Sequence, residues 1–201
     1  TLFRSESPVL RFEPFARGLR NSVALAVMPD GPAAGSVWQG ENGIDYADAK
    51  NPPEELNQLV ANGDYGWPHC VGNRQPARGY EKRFDCGKTL APRLLWPAHV
   101  APLQLLATPA GSAFRDQLLA AWHGSGAGGY RVVGFARDAK GLPSGAPINW
   151  LSGWDEKKGV RPRGRPTGLA LDHAGRLLVV EDFNRTLLML MPDGRVSAKI
   201  K

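Results

Sequence analysis

The chain has 201 residues, 42% of them hydrophobic and 22% charged, with 24 glycines and 17 prolines. This length supports one core of ordinary size, the balance excludes a disordered chain, and the Gly and Pro content favours turns over long helices. The formal net charge is +6. Much of it lies in the run 157–165, which has no interleaved aromatics and so argues against nucleic acid, leaving a solvated loop or a pocket for a small polyanion.

The first predicted element pairs an apolar strand at 23–27 with a second at 36–41, across a turn at Pro29-Asp30-Gly31. Around it, from Arg20 to Pro68, lie Arg20-Asn21, Gly40-Glu41-Asn42-Gly43, Glu54-Glu55-Leu56-Asn57 and Asp64-Tyr65-Gly66-Trp67-Pro68. These are loops whose carbonyls and carboxylates suit an ion or ligand. Glu55 also reads as the cap of a short helix over Leu56 and Leu59. Cys70 and Cys86 have neither a zinc nor a redox spacing, so a disulfide is predicted, about 3 kcal/mol by loop entropy, and with it an oxidising compartment.

The hairpin pattern recurs at 103–111 with 118–121 ending on His123, and at 167–175 with 177–180 ending on Glu181. Further strands are predicted at 130–135 and 187–191. Repeated hairpins inside four-stranded units are the signature of a β-propeller. Three repeats fall short of a closed ring, so the chain is expected to be part of a larger one. No window reaches the ~18 apolar residues of a membrane-spanning helix. No signal peptide is visible at Thr1-Leu2-Phe3-Arg4, as a mature, processed or truncated start would also look.

In this order and combination, Ala16-Arg17-Gly18-Leu19-Arg20-Asn21, Glu41-Asn42-Gly43, Glu55-Leu56-Asn57 and Asp64-Tyr65-Gly66-Trp67-Pro68 resemble the C-terminal half of the soluble quinoprotein aldose-sugar (glucose/sorbosone) dehydrogenases. Pro97-Ala98-His99-Val100-Ala101-Pro102-Leu103, His123-Gly124-Ser125 and Gly164-Arg165-Pro166-Thr167-Gly168 resemble the sorbosone-type branch. The resemblance covers roughly Phe12 to Gly194. It implies an all-β fold, a six-bladed β-propeller of which this chain supplies about three blades. The blade-like repeats fall at 12–65, 94–140 and 160–194, within one partial domain over 1–201 that carries an inserted disulfide loop at 66–93. It implies pyrroloquinoline quinone (PQQ) and Ca2+ as cofactors, a small sugar as substrate and an electron acceptor as partner. The rest of the ring is implied too, from upstream sequence, a second chain or a second copy. A periplasmic or secreted location follows.

The resemblance also implies roles. Arg20 and Asn21 correspond to the quinone-contacting pair, with Arg20 stabilising the reduced ring, although Arg20 also reads as a surface turn residue. The Gly43 and Ile44 carbonyls correspond to those holding the cofactor's calcium, here followed by an insertion at 45–53. Glu55 and the Tyr65 carbonyl correspond to a second calcium site. His123 and Gly124 lie where a neighbouring blade makes polar contacts, and Arg165, with Arg163 or Thr167, corresponds to the contact with the cofactor carboxylates. Two departures stand out: Gly126-Ala127-Gly128-Gly129 replaces the branch's Trp-Asn-Arg, and no His precedes Asn21 to act as general base. The rival readings are a calcium-dependent lactonase using Glu41, Asn42 and Glu181, and a non-catalytic binding propeller.

Overall fold

The computed structural model describes residues 13–124, 128–154 and 164–191. Lys157, Lys158, Arg161 and Arg163 of the basic run, and Ser125, Gly126 and Ala127, lie outside the described residues. Short alternating segments between Gly and Pro turns form strands in chain order. They are β1 (Ala16–Arg17), β2 (Asn21–Val27), β3 (Val37–Asn42), β4 (Glu54–Leu59), β5 (Gly63–Asp64), β6 (Cys70–Val71), β7 (Gln75–Pro76) and β8 (Leu94–Trp96). There follow β9 (Pro102–Ala107), β10 (Gln117–Trp122), β11 (Arg131–Arg137), β12 (Pro143–Leu151), β13 (Pro166–Leu171), β14 (Leu177–Glu181) and β15 (Thr186–Leu190). Helix among the described residues is one 3₁₀ turn, Cys86–Lys88. The fold is all-β.

Three antiparallel sheets carry the architecture, in the orders β2-β3-β4-β8, β9-β10-β11-β12 and β13-β14-β15. The pairs β6-β7 (antiparallel) and β1-β5 (parallel) are small additions. Glu54–Leu59 is a strand, so the helix that Glu55 would cap does not form. Its side chains alternate across the sheet, with Leu56 in the core and Glu55 and Asn57 on the other face. The first sheet is completed across the disulfide loop, where Leu94–Trp96 pairs with Glu54–Leu56.

The sheets stack face to face, β2 packing on β9 and β9 on β13. The middle sheet is buried on both sides, and β10 shows this by its period of two. Leu118, Ala120 and Trp122 enter one core with Trp38, Leu56, Trp96 and Phe135, while Leu119 and Ala121 enter a second with Leu169, Leu177 and Val179. The outer faces of the end sheets are different. Val23, Leu25 and Val27 of β2, and Val180 and Leu187 of the third sheet, remain exposed.

A buried guanidinium ties the first two sheets together at the C-terminal end of β2. Arg137 pairs with Asp30 (2.9 Å) and Asp116 and donates to the Thr108 carbonyl (3.0 Å). The predicted disulfide is present, Cys70 to Cys86 with their Cα atoms 5.8 Å apart, and closes the loop that packs beside β4.

Candidate active site

At the opposite end of the first sheet, the register of β2 and β3 sets Asn21 across from Asn42. The Glu41 carboxylate, buried in front of that pair, accepts the Arg20 N–H (3.0 Å), the Asn21 N–H (2.7 Å) and the Ser22 hydroxyl (2.8 Å). The entry turn of β2 is thereby clamped, and the Arg20 side chain is directed back along the sheet end. Its guanidinium donates to the carbonyls of Asn42 (3.1 Å) and Gly43 (2.8 Å) and lies 5.4 Å from the Trp67 ring centroid, within cation–π range. The third sheet repeats the device. Glu181, ending β14 and 1% exposed, accepts the Arg165 N–H (3.1 Å) in front of β13. The Arg165 guanidinium lies between the Tyr130 and Phe183 rings. Arg20 and Arg165 both stand at the entry of their sheets, and by register Arg165 corresponds to Asn21, the neighbour of Arg20, whose N–H Glu41 also accepts.

Behind Arg20 lies a cavity of about 20 Å3, room for one water or ion, which needs roughly 10–15 Å3. Glu41, Gly43, Ile44, Glu55, Tyr65 and Trp67 contribute to its wall, so Gly43 and Ile44, expected at the cofactor's calcium, and Glu55 and Tyr65, expected at a second calcium site, line one small cavity. Tyr65 is held by its hydroxyl, which donates to the Gln58 carbonyl (2.5 Å). Gly18 allows the approach of this corner: it has φ +72°, and a Cβ there would strike the Gly66 and Tyr65 nitrogens. Glu55 accepts the Gly72 N–H (2.7 Å) and the Asn57 amide (3.0 Å). Glu54, on the other face of β4, accepts the Gly43 N–H, and burial pushes its carboxyl up as well.

Burial, reinforced by the nearby charges of Glu41 and Glu54, pushes the Glu55 carboxyl up to about 7. A stability change with pH follows. Below the ordinary value of 4.5 the group is protonated in folded and unfolded chains alike. Between 4.5 and about 7 only the folded chain keeps the proton. Stability therefore falls as pH rises through that window, by about 3 kcal/mol in all. Glu55→Gln is expected to flatten this fall, read from urea midpoints across the window. An unchanged slope would assign the fall to other groups.

A continuous line of contacts runs from this corner to Arg165. Asn42 Nδ2 donates to the Pro102 carbonyl (2.8 Å), and the His123 N–H donates to the Ala101 carbonyl (3.1 Å). His123 Nε2 meets Asp182 (3.0 Å), whose N–H donates to the Arg165 carbonyl (3.2 Å). Gly124 is a close-approach glycine. Its N–H is taken by the Val100 carbonyl, and a Cβ would run into the His99 carbonyl. Thr167 is half-buried on β13 and donates to the Val180 carbonyl (3.3 Å).

His99 is tied to the Asp48 carbonyl (3.0 Å) and to Asp45 (2.8 Å), which in that order raise its pKa. His69 is stacked on Phe84 and edge-on to Tyr80, and His173 is exposed in the turn after β13. Glu41 and Glu181 are occupied by their own sheets, and among the described residues no group of three or more His, Cys, Asp or Glu side chains converges on a metal position. The clamping role of these two glutamates is invisible in sequence. Their placement at equivalent strand ends is its only trace there.

No family model matches the chain, and no curated protein matches it. Solved structures do. One is the iodide structure of Trichoderma reesei Carbohydrate-Active Enzymes Family AA12, with 25% identity and a TM-score of 0.75 over 87% of this chain and 53% of that one. A second is a putative oxidoreductase (glucose dehydrogenase) from Thermus thermophilus, with 25% identity and a TM-score of 0.55 over 82% of this chain and 40% of that one. A third, similar in fold, is the PQQ-bound form of aldose sugar dehydrogenase from Streptomyces coelicolor, with 22% identity and a TM-score of 0.52 over 96% and 45%. The chain thus resembles glucose and soluble aldose sugar dehydrogenases in structure, and spans about half the length of the solved structures it matches.

Proposed function

We propose that this chain forms about three blades, and half of the cofactor cradle, of a six-bladed β-propeller that uses PQQ and Ca2+ to oxidise an aldose sugar, or a sorbosone-like aldehyde, to its lactone or acid. The observation that carries this reading is the repeated clamp. Two arginines stand at the entries of two sheets, each fixed through its own peptide N–H by a buried glutamate at an equivalent strand end. A tricarboxylate quinone suits guanidinium forks of this kind. The small cavity fits a calcium ion through the chemistry of its donors, a buried carboxylate and nearby carbonyls, as hard cations require. The Gly43 and Ile44 carbonyls would hold the cofactor's calcium and Glu55 with the Tyr65 carbonyl a second one, while Arg20, Asn21, His123, Gly124, Arg165 and Thr167 would border the quinone.

When bound, the quinone supplies an acceptor for hydride from the sugar's anomeric carbon. The work of this chain is to bind and to stabilise charge. Arg20 places a fixed positive charge where negative charge develops, and its carbonyl contacts hold it there before substrate arrives. Arg165 would pair with a carboxylate of the quinone, and the Trp67 ring lies beside the Arg20 guanidinium. The base that takes the sugar's hydroxyl proton comes from the completing half of the ring. His69, His99, His123 and His173 all follow Asn21, whereas the resemblance places that base upstream of the Arg20-Asn21 pair.

The exposed apolar faces of the end sheets are the surfaces that ring closure would cover. The disulfide suits a periplasmic or secreted location. The test is titration of the protein with PQQ in the presence and absence of calcium, followed by absorbance. Saturable, calcium-dependent binding is expected, with aldose turnover only when the completing half is added. Calcium-dependent lactone hydrolysis without quinone binding would favour the lactonase, and neither activity would favour a binding module.

A further inference from the structure

The 45–53 loop and the hairpin β6–β7 enclose a cleft of about 450 Å3 on the far side of Pro52 and Pro53 from the carboxylate cavity. This size lies within the roughly 300–1,000 Å3 of pockets that hold small ligands. Both walls are braced. His99 holds the loop at Asp45 and at the Asp48 carbonyl, while the Asp48 carboxylate accepts the Lys50 N–H (2.8 Å) and the Asn51 amide (2.9 Å). The hairpin is anchored by the disulfide at Cys70 and by the Gly72 N–H on Glu55. Arg78 joins the two walls, its N–H on the Tyr46 hydroxyl (3.1 Å) and its guanidinium 4.5 Å from the Tyr46 ring centroid. A site whose walls are already ordered loses little entropy when it is filled.

The lining chemistry selects the occupant. The Asn73 amide, and the remaining donor and acceptor of the Gln75 amide beyond its bond to the Asn73 carbonyl (3.1 Å), offer polar contacts, while Pro52, Pro53 and the exposed Leu95 offer apolar surface. Two acids, Asp48 and Glu81, outnumber the one cation, Arg78, which is engaged with Tyr46, so an anionic ligand is disfavoured. A neutral molecule bearing many hydroxyls and apolar C–H faces meets these demands, and that description is a saccharide. Because Pro52 and Pro53 line both spaces, a molecule in the cleft lies directly against the candidate site.

We propose that this cleft is a saccharide subsite that holds the non-reacting units of a neutral oligosaccharide, making oligosaccharide chain ends the preferred substrate of the adjacent site. This rests on the sugar-oxidation reading for the substrate role, while binding at the cleft stands apart from it. The test is calorimetric titration of the protein, without quinone, with glucose and with α-1,4-, β-1,4- and β-1,3-linked glucose trisaccharides. It is repeated on the exposed-residue variants Gln75→Ala and Asn73→Ala/Gln75→Ala.

At least one trisaccharide is expected to bind more tightly than glucose. The double variant should weaken it about tenfold or more, as two lost hydrogen bonds imply, with its melting temperature and quinone titration unchanged. Trisaccharides that bind no better than glucose, or that bind the double variant as tightly as the parent, would overturn the proposal. Failure of quinone titration with trisaccharide binding intact would instead overturn the oxidation reading and leave the cleft as a glycan-binding site.

Discussion

Arg137→Ala is expected to lower stability by about 3 kcal/mol, the low end of the 3–5 kcal/mol typical of breaking a buried ion pair. The Arg137 side chain is only 2% exposed; it forms ion pairs with two carboxylates from different segments and donates to the carbonyls of Asp30, Thr108 and Asp116. Removing it strands those acceptors between the first and second sheets. Asp30 and Asp116 keep partial access to water, which holds the cost below the upper end of the range. Urea denaturation of the two proteins measures the difference. Arg137→Met, which keeps an unbranched apolar stem of similar length, separates charge from packing and is expected to recover only part of the loss. A loss below about 1 kcal/mol in both variants, the level of an exposed ion pair, would mean that the sheets are held by their apolar cores alone.

The second large effect is on chemistry. On the proposed sugar-oxidation reading, Arg20→Ala in the completed ring is expected to reduce kcat by about 10²–10³-fold, as loss of a donor aimed at developing charge does elsewhere. Arg20→Lys should recover little of it. A single ammonium cannot reproduce a guanidinium that bridges the Asn42 and Gly43 carbonyls beside the Trp67 ring. The informative comparison is kcat against KM for the sugar. An effect confined to KM, with kcat intact, would make Arg20 a loop staple and not part of the reaction.

The hairpins that build the three sheets were legible because their apolar runs are short and closed by Gly turns, as at Thr167-Gly168-Leu169 with Leu177 and Leu178. The outer strands of the first two sheets, β8 and β12, were not. Leu94–Trp96 joins the first sheet across an intervening loop that no local pattern bridges. Pro143–Leu151 is an edge strand, with Gly145 and Pro147 exposed along it, and lacks alternation. At the candidate site, residue types such as Arg20, Glu55 and Tyr65 were readable. The cavity that gathers Glu55 and Tyr65 beside Gly43 depends on the register of β3 and β4 and on the packing of the disulfide loop, neither of which composition encodes. Glu54 and Glu55 show the difference sharply, since adjacent glutamates serve opposite faces of one strand.

The glutamate clamp divides each arginine into two parts with different sensitivity to ionic strength. Glu41 and Glu181 hold their arginines through peptide N–H groups inside the protein, and Arg20 is otherwise fixed by carbonyls and an aromatic ring. Contacts of this kind are little affected by mobile ions, whereas the attraction of an exposed guanidinium for an anionic guest is screened over a distance of about 8–10 Å. Added salt should therefore weaken what the arginines hold while leaving their own positions unchanged. The frame stays set, and only its occupancy varies with the medium.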